Sequence, residues 1–173
     1  ANQLALQIIR AQIKKRPGRS IKGDGRLTSK VMQSLPFELT GSQRMALAEI
    51  AADMAEPSTM LRLLQGDVGS GKTIVALFAM LEAVECGGQA ALMAPTEILA
   101  RQHMATIEPL VSAIGLKVAV LTGRGKAKAR REILADLESG EINIIIGTHA
   151  LFQEAVQLQD LMVAVIDEQH RFG

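Results

Sequence analysis

"GDVGSGKT", Gly66 to Thr73, decides how the rest of the chain reads. Three glycines sit one or two residues apart, and Lys72 and Thr73 then open the run "KTIVALFAMLEAVEC", whose apolar residues recur at helical spacing. The octet fits G-x-x-x-x-G-K-S/T and has the context that motif needs: an apolar segment that reads as a strand before it, "MLRLLQ", and a helix after it. Glycine reaches backbone angles that other residues avoid, so successive N–H groups can converge on phosphate oxygens. The following helix points the positive end of its dipole at the same place. The octet therefore predicts a nucleoside triphosphate cradled by Gly66, Asp67, Val68, Gly69, Ser70, Gly71, Lys72 and Thr73. In that cradle Lys72 reaches the β and γ phosphates and the Thr73 hydroxyl ligates Mg²⁺.

Outward from this loop, short apolar strands ("QAALMA", "KVAVLT", "INIIIG", "MVAVID") alternate with helical stretches ("TEILARQHMATIEPLVSAI", "GKAKARREILADLES"). Near-continuous apolar strands between helices predict an α/β fold, with a mostly parallel sheet covered by helices on both faces. The last strand runs into two carboxylates, "VAVIDEQHRFG". In a phosphate-cradling fold a second strand ending in Asp holds the same magnesium, and Asp167 fits that part. Glu168 is placed to orient and deprotonate an attacking water, as a general base must. Lys72, Asp167 and Glu168 are the candidate catalytic residues, and Thr73 and Asp167 the candidate metal ligands.

The totals bound this reading. At 173 residues the chain is about one domain. Its 48% hydrophobic content is globular, yet it has only four Phe and no Trp or Tyr, so the core must be aliphatic. That scarcity argues against single-strand binding by rows of stacked aromatics. Net charge is +1, too small to imply a polyanionic partner, but "IKKRPGRSIKGDGR" and "GRGKAKARR" are basic stretches that either track phosphates or form solvated surface. The lone Cys86 excludes an intramolecular disulfide and reads as a packed or idle thiol. No apolar run approaches the ~20 residues that span a bilayer, and no leader opens the chain, so a soluble, cytoplasmic protein is expected. Residues 1–35 read as a helical linker or arm outside the core, with a short helix after Thr28 that Pro36 ends. Thr40 and Gln43 have the spacing of a capping box at the next helix.

Five segments carry a resemblance to a known family. "GDVGSGKT", "APTEILARQH", "TGR", "GTHALFQ" and "DEQHRFG" occur in the order of motifs I, Ia, Ic, Ib and II of superfamily two helicases, and "PFELTGSQR" resembles the Q-motif-like region upstream. The wording is similar to that of the bacterial branched-DNA helicases. The resemblance implies that residues 36–173 form the first RecA-like motor domain, truncated after motif II. It likewise implies that 1–35 correspond to the segment joining a DNA-binding wedge domain to the motor. It implies ATP as the nucleotide, with Gln43 reading adenine and Phe37 packing on the ring; a capping role for Gln43 and a core position for Phe37 remain open. Pro95, Thr96, Arg101, Thr122, Gly123, Gly147, Thr148 and His149 follow strand ends, the edge where open α/β sheets bind ligands. In such motors this edge grips the DNA backbone without reading bases. Thr96 also suits a helix cap, and His149 a structural imidazole. Gln169 and His170 are implied to couple the phosphate site to the DNA or to a second motor domain. His103, mid-helix, reads as a packed or surface imidazole.

The resemblance also names what this stretch does not contain: the wedge domain, and the second RecA-like domain with its arginine finger and motifs IV to VI. A monomer acting on branched or forked DNA is expected for the whole, and near-inactivity for this piece. The motor of a transcription-repair coupling factor, or of another duplex-DNA translocase, is the nearest rival; that family typically carries Glu where Gln169 stands. A replication-restart helicase is more distant. Neither N-K-x-D nor L-S-G-G-Q occurs, which disfavours a GTPase and a transporter ATPase, and a non-catalytic interaction module is the remaining class.

Overall fold

The computed structural model describes residues 16–123, 126–153 and 155–167. In chain order they form α1 (Arg26–Ser34), α2 (Gly41–Ala55), α3 (Lys72–Glu85), β1 (Gln89–Met93), α4 (Glu97–Ser112), β2 (Val118–Leu121), α5 (Ala127–Glu138), β3 (Ile144–Gly147), a 3₁₀ turn (His149–Phe152) and β4 (Leu161–Ile166). The strands make one sheet in the order β2-β3-β1-β4, and every pairing is parallel.

Alternation along each strand builds two apolar layers, because successive side chains point to opposite faces. Ala90 and Leu92 of β1, Val118 and Val120 of β2, and Ile144 and Ile146 of β3 join the larger cluster, which α1, α2, α3 and α4 complete. Ala91, Ala119, Leu121 and Ile145 face the other way, onto Ile133, Leu134 and Leu137 of α5. Strands β1, β2 and β3 are thus covered on both faces, as the apolar runs predicted, while β4 at the edge leaves Leu161, Ala164 and Ile166 exposed. Helix α3 runs through the larger layer with nine buried residues, which is why its sequence is apolar almost all round. Gln89 is a buried polar residue, and both polar atoms of its side chain are used: Nε2 donates to Leu137 O (3.0 Å) and Ile142 O (2.7 Å), and Oε1 accepts from Asp160 N (3.1 Å).

Two expectations need correction. The segment 60–65 ("MLRLLQ") is not a strand: among the described residues it belongs to no ladder, and Leu61 and Leu63 are exposed. A strand exists only by pairing, and apolar composition does not supply the partner. The segment is tethered instead through Arg62, whose guanidinium donates to Asp53 (2.8 Å) and Glu49 (2.6 Å) of α2. These two carboxylates, Asp53 first, raise the Arg62 pKa above its ordinary value.

The second correction concerns the arm. Ile21, Leu27 and Val31 are buried in the same core as α3, so the described part of residues 1–35 does not stand outside it. Helix α1 begins after Gly25, whose positive φ of 78° is natural for glycine, and it ends before Pro36. Gly25 has no side chain to cap the helix, and Glu85 from the end of α3 serves instead. Its carboxylate accepts from the main-chain N–H groups of Gly25 (2.9 Å), Leu27 and Thr28 (3.0 Å), while Glu82 accepts from Gly23 N (3.0 Å). The helix expected before residue 16 lies outside the described residues. Among those described, no helix is long and apolar enough to cross a membrane.

Candidate functional site

The glycine octet forms an exposed loop leading into the N-terminus of α3. Gly69 (φ 81°) and Gly71 (φ 80°) take left-handed angles, and Ser70 N donates to Asp67 O (3.1 Å) to close the turn. Lys72 Nζ folds over the loop and donates to Gly66 O (2.7 Å) and Asp67 O (2.8 Å). Its charge therefore sits against two carbonyl oxygens of the loop.

Gln43 meets this loop from α2. The capping box is present: Thr40 Oγ1 accepts from Gln43 N (3.2 Å), and Gln43 Oε1 accepts from Thr40 N (2.9 Å). The remaining amide nitrogen, Nε2, donates to Ser70 O (2.9 Å). Capping and contact with the phosphate loop coexist in one side chain. Phe37 is 50% exposed, so the core position is excluded for it.

Asp167 lies one residue beyond β4, where its N–H donates to Met93 O (2.8 Å) at the end of β1. Its carboxylate Oδ2 is 2.7 Å from His103 Nε2. The other ring nitrogen, Nδ1, is 3.5 Å from Thr73 Oγ1. One imidazole thus spans the two residues expected to share a metal. Sequence reasoning passed over His103 as a packed or surface ring, although a signal was present: it stands three residues after Ala100 and four before Ile107, both fully buried, and so lies on the core stripe of α4. Glu168, Gln169 and His170, the expected base and coupling residues, lie outside the described residues.

The strand-end residues are brought to one edge of the sheet. Thr96 caps α4, accepting from Leu99 N (3.2 Å), and Arg101 is exposed and paired with Glu97 (2.8 Å). Pro95 is half-buried and His149 exposed. Thr122 and Thr148 are only 6% and 5% exposed, and the Thr148 hydroxyl accepts from Ala150 N (3.5 Å). Contacts of these two with a ligand would fall mainly to their surroundings. Gly147 is needed for packing, because a Cβ there would lie 2.3 Å from Leu121 O; at Gly123 a Cβ would meet nothing. A cavity of about 370 Å³ opens here, lined by Arg101, Thr122 and Gly123 together with Lys126, Arg130 and Gln153. The last three were not singled out from sequence, although "GRGKAKARR" had marked the region as basic. Arg130 is held in the wall by Thr122 O (3.3 Å) and Gln153 Oε1 (2.6 Å).

A glycine loop at a helix start, an acidic strand tip beside it and a parallel sheet with helices on both faces define a RecA-like P-loop nucleotide-binding domain. Comparison with known proteins narrows the class. The family model described as DEAD/DEAH box helicase matches residues 40–173, and the chain belongs to that family, which implies use of ATP. The chain is 52% identical over 147 residues to the ATP-dependent DNA helicase RecG of Treponema pallidum, covering 85% of this chain and 21% of the relative. It is 44% identical to RecG of Escherichia coli over all 173 residues, 25% of that protein. The chain thus spans about a quarter or less of the length of these relatives. A solved structure, RecG bound to a three-way DNA junction, superposes with a TM-score of 0.89 at 46% identity, covering 99% of this chain and 24% of that one. A hypothetical ATP-dependent RNA helicase from Sulfolobus tokodaii matches at TM-score 0.62 and 20% identity, over 85% of this chain and 42% of that one, which shows the fold alone.

Proposed function

We propose that this chain is the first RecA-like motor domain, residues 36–173, of an ATP-driven DNA helicase that remodels branched DNA such as forks and junctions. Residues 1–35 form its linking arm, whose described part packs on the motor through Ile21, Leu27 and Val31. The observation that carries the reading is the convergence of Thr73 and Asp167 on one imidazole, directly beside the phosphate loop.

The donor set suits Mg²⁺. A hydroxyl and a carboxylate are hard oxygen ligands, and magnesium usually takes one or two protein ligands together with substrate phosphates and water. Thr73 and Asp167 would hold it, and when bound it neutralises charge on the β and γ oxygens. Lys72 exchanges its two carbonyl partners for phosphate oxygens, and the amides of Gly66 to Thr73 close on the same group. Gln43 is assigned to adenine and Phe37 to the face of the ring. Glu168 is assigned as the base that deprotonates water, and Gln169 and His170 as the coupling residues.

Pro95, Thr96, Arg101, Thr122, Gly123, Gly147, Thr148 and His149 are assigned to the DNA track, to which Lys126 and Arg130 add positive charge. The junction-bound relative supports branched DNA as the partner. A second RecA-like domain and a wedge domain complete the machine, which works as a monomer in the cytoplasm. Because an arginine finger from elsewhere contributes about 10³–10⁵ in rate in related enzymes, the 173-residue chain alone should hydrolyse ATP barely. The test is forked-DNA-stimulated ATP hydrolysis by the full-length protein, with Lys72→Ala as the lesion. Loss of turnover is expected; a variant as active as the parent would remove the basis for the assignment.

A further inference from the structure

We infer that His103 is a positioning residue for the metal–nucleotide site, fixing the Asp167 carboxylate and the Thr73 hydroxyl in one orientation through the two nitrogens of its ring. The inference rests on the reading of Thr73 and Asp167 as metal ligands, and adds to it a residue which that reading does not require.

The geometry is specific. The side chain of His103 is 13% exposed, and its ring is held between α3 and the tip of β4. In the neutral tautomer with its hydrogen on Nε2, the ring donates to Asp167 Oδ2 across 2.7 Å, a short distance for a nitrogen donor and a carboxylate acceptor. Nδ1 is then a bare acceptor facing the Thr73 hydroxyl at 3.5 Å. With that tautomer the hydroxyl hydrogen would turn toward the ring and the Thr73 oxygen lone pairs would be left for a cation. The second carboxylate oxygen, Oδ1, stays outside the ring contact.

A packing role alone would not explain the arrangement, because any apolar residue fills a core stripe without a polar partner at either end. The neighbours of His103 on that stripe, Ala100 and Ile107, are of that kind. Helix α4 is also capped by Thr96 and carries Arg101, so the ring ties the helix bearing edge residues to the glycine loop. Hydrogen-bond partners that orient metal ligands typically alter metal affinity or activity by about 10- to 100-fold when removed. The effect here belongs at the lower end, since Asp167 is also placed by its own main-chain bond to Met93.

The test is a titration of this chain with a fluorescent ADP analogue, without metal and across a Mg²⁺ series, comparing the parent with His103→Ala and His103→Gln. Metal-free nucleotide affinity depends on the loop and Lys72, and should stay within about twofold in both variants. The Mg²⁺ concentration for half-maximal tightening should rise about tenfold in His103→Ala. His103→Gln should recover most of that loss, because its amide nitrogen can still donate to Asp167. An unchanged metal requirement in His103→Ala overturns the inference. So does an equal loss of metal-free binding, which would make the ring a packing residue, and so does a Gln variant no better than Ala. A parent chain that binds nucleotide with no response to Mg²⁺, or does not bind it, overturns the site reading itself and the inference with it.

Discussion

Substituting Gly71 by alanine disturbs the phosphate loop in two ways that can be measured apart. Its φ of 80° is left-handed, which costs a residue with a Cβ roughly 1–2 kcal/mol. The new Cβ would also lie 2.2 Å from Gln43 Nε2, so that side chain must withdraw and give up its bond to Ser70 O. A net hydrogen bond contributes about 1 kcal/mol. The free loop is exposed and can relax, so the combined 2–3 kcal/mol falls mainly on the nucleotide-bound geometry. With tenfold per ~1.4 kcal/mol, binding of a fluorescent ADP analogue should weaken about 30- to 100-fold. Gly69 is the control, because its φ is 81° yet a Cβ there meets nothing within 4 Å. Gly69→Ala should therefore cost only the backbone share, about tenfold. In a Gln43→Ala background the excess penalty of Gly71→Ala over Gly69→Ala should vanish, giving a coupling of about 1 kcal/mol. Equal penalties at the two glycines, or an excess that survives removal of Gln43, would refute the proposed contact between α2 and the loop.

Two further outcomes follow from other parts of the molecule. Glu85→Ala removes the carboxylate that caps α1 across space, a loss of about 2 kcal/mol, so thermal denaturation should move down by about 4–8 °C. A midpoint unchanged by that substitution would show that the first described helix is not held by α3. Arg101→Ala and Lys126→Ala, tested in the full-length protein, should each weaken DNA binding and flatten its dependence on salt by about one unit of log–log slope. An unaltered slope would remove the basic cavity from the DNA path.

Strands β1 and β3 were legible because strands buried on both faces have no solvent side to carry polar residues, and β2 and β4 share that texture although β4 leaves Leu161, Ala164 and Ile166 exposed. "QAALMA", "INIIIG" and their companions therefore stand out as apolar runs, and each became a strand in the expected place. The same reasoning failed at residues 60–65, where the texture matches but no ladder partner exists among the described residues. It failed again at residues 16–35, where glycine, proline and basic residues conceal Ile21, Leu27 and Val31, which only the folded chain gathers against α3. At the site, local spacing carried the reading: the octet, the capping box and the acid at a strand tip each lie within a few residues. Contacts that span the sequence were not legible. Gln43 meets Ser70 across 27 residues, and His103 meets Asp167 across 64, distances over which a single sequence holds no pattern. The buried hydroxyls of Thr122 and Thr148 were hidden for the same reason, since burial belongs to the sheet and not to the motif.

The most direct measurement is a crystal structure of this chain with ADP and Mg²⁺. The phosphates should lie on the amides of Gly69 to Thr73, with Lys72 turned from Gly66 and Asp67 toward them and the ion shared by Thr73 and Asp167. Nucleotide bound elsewhere, or an ion on the loop with Asp167 out of its reach, would contradict the account.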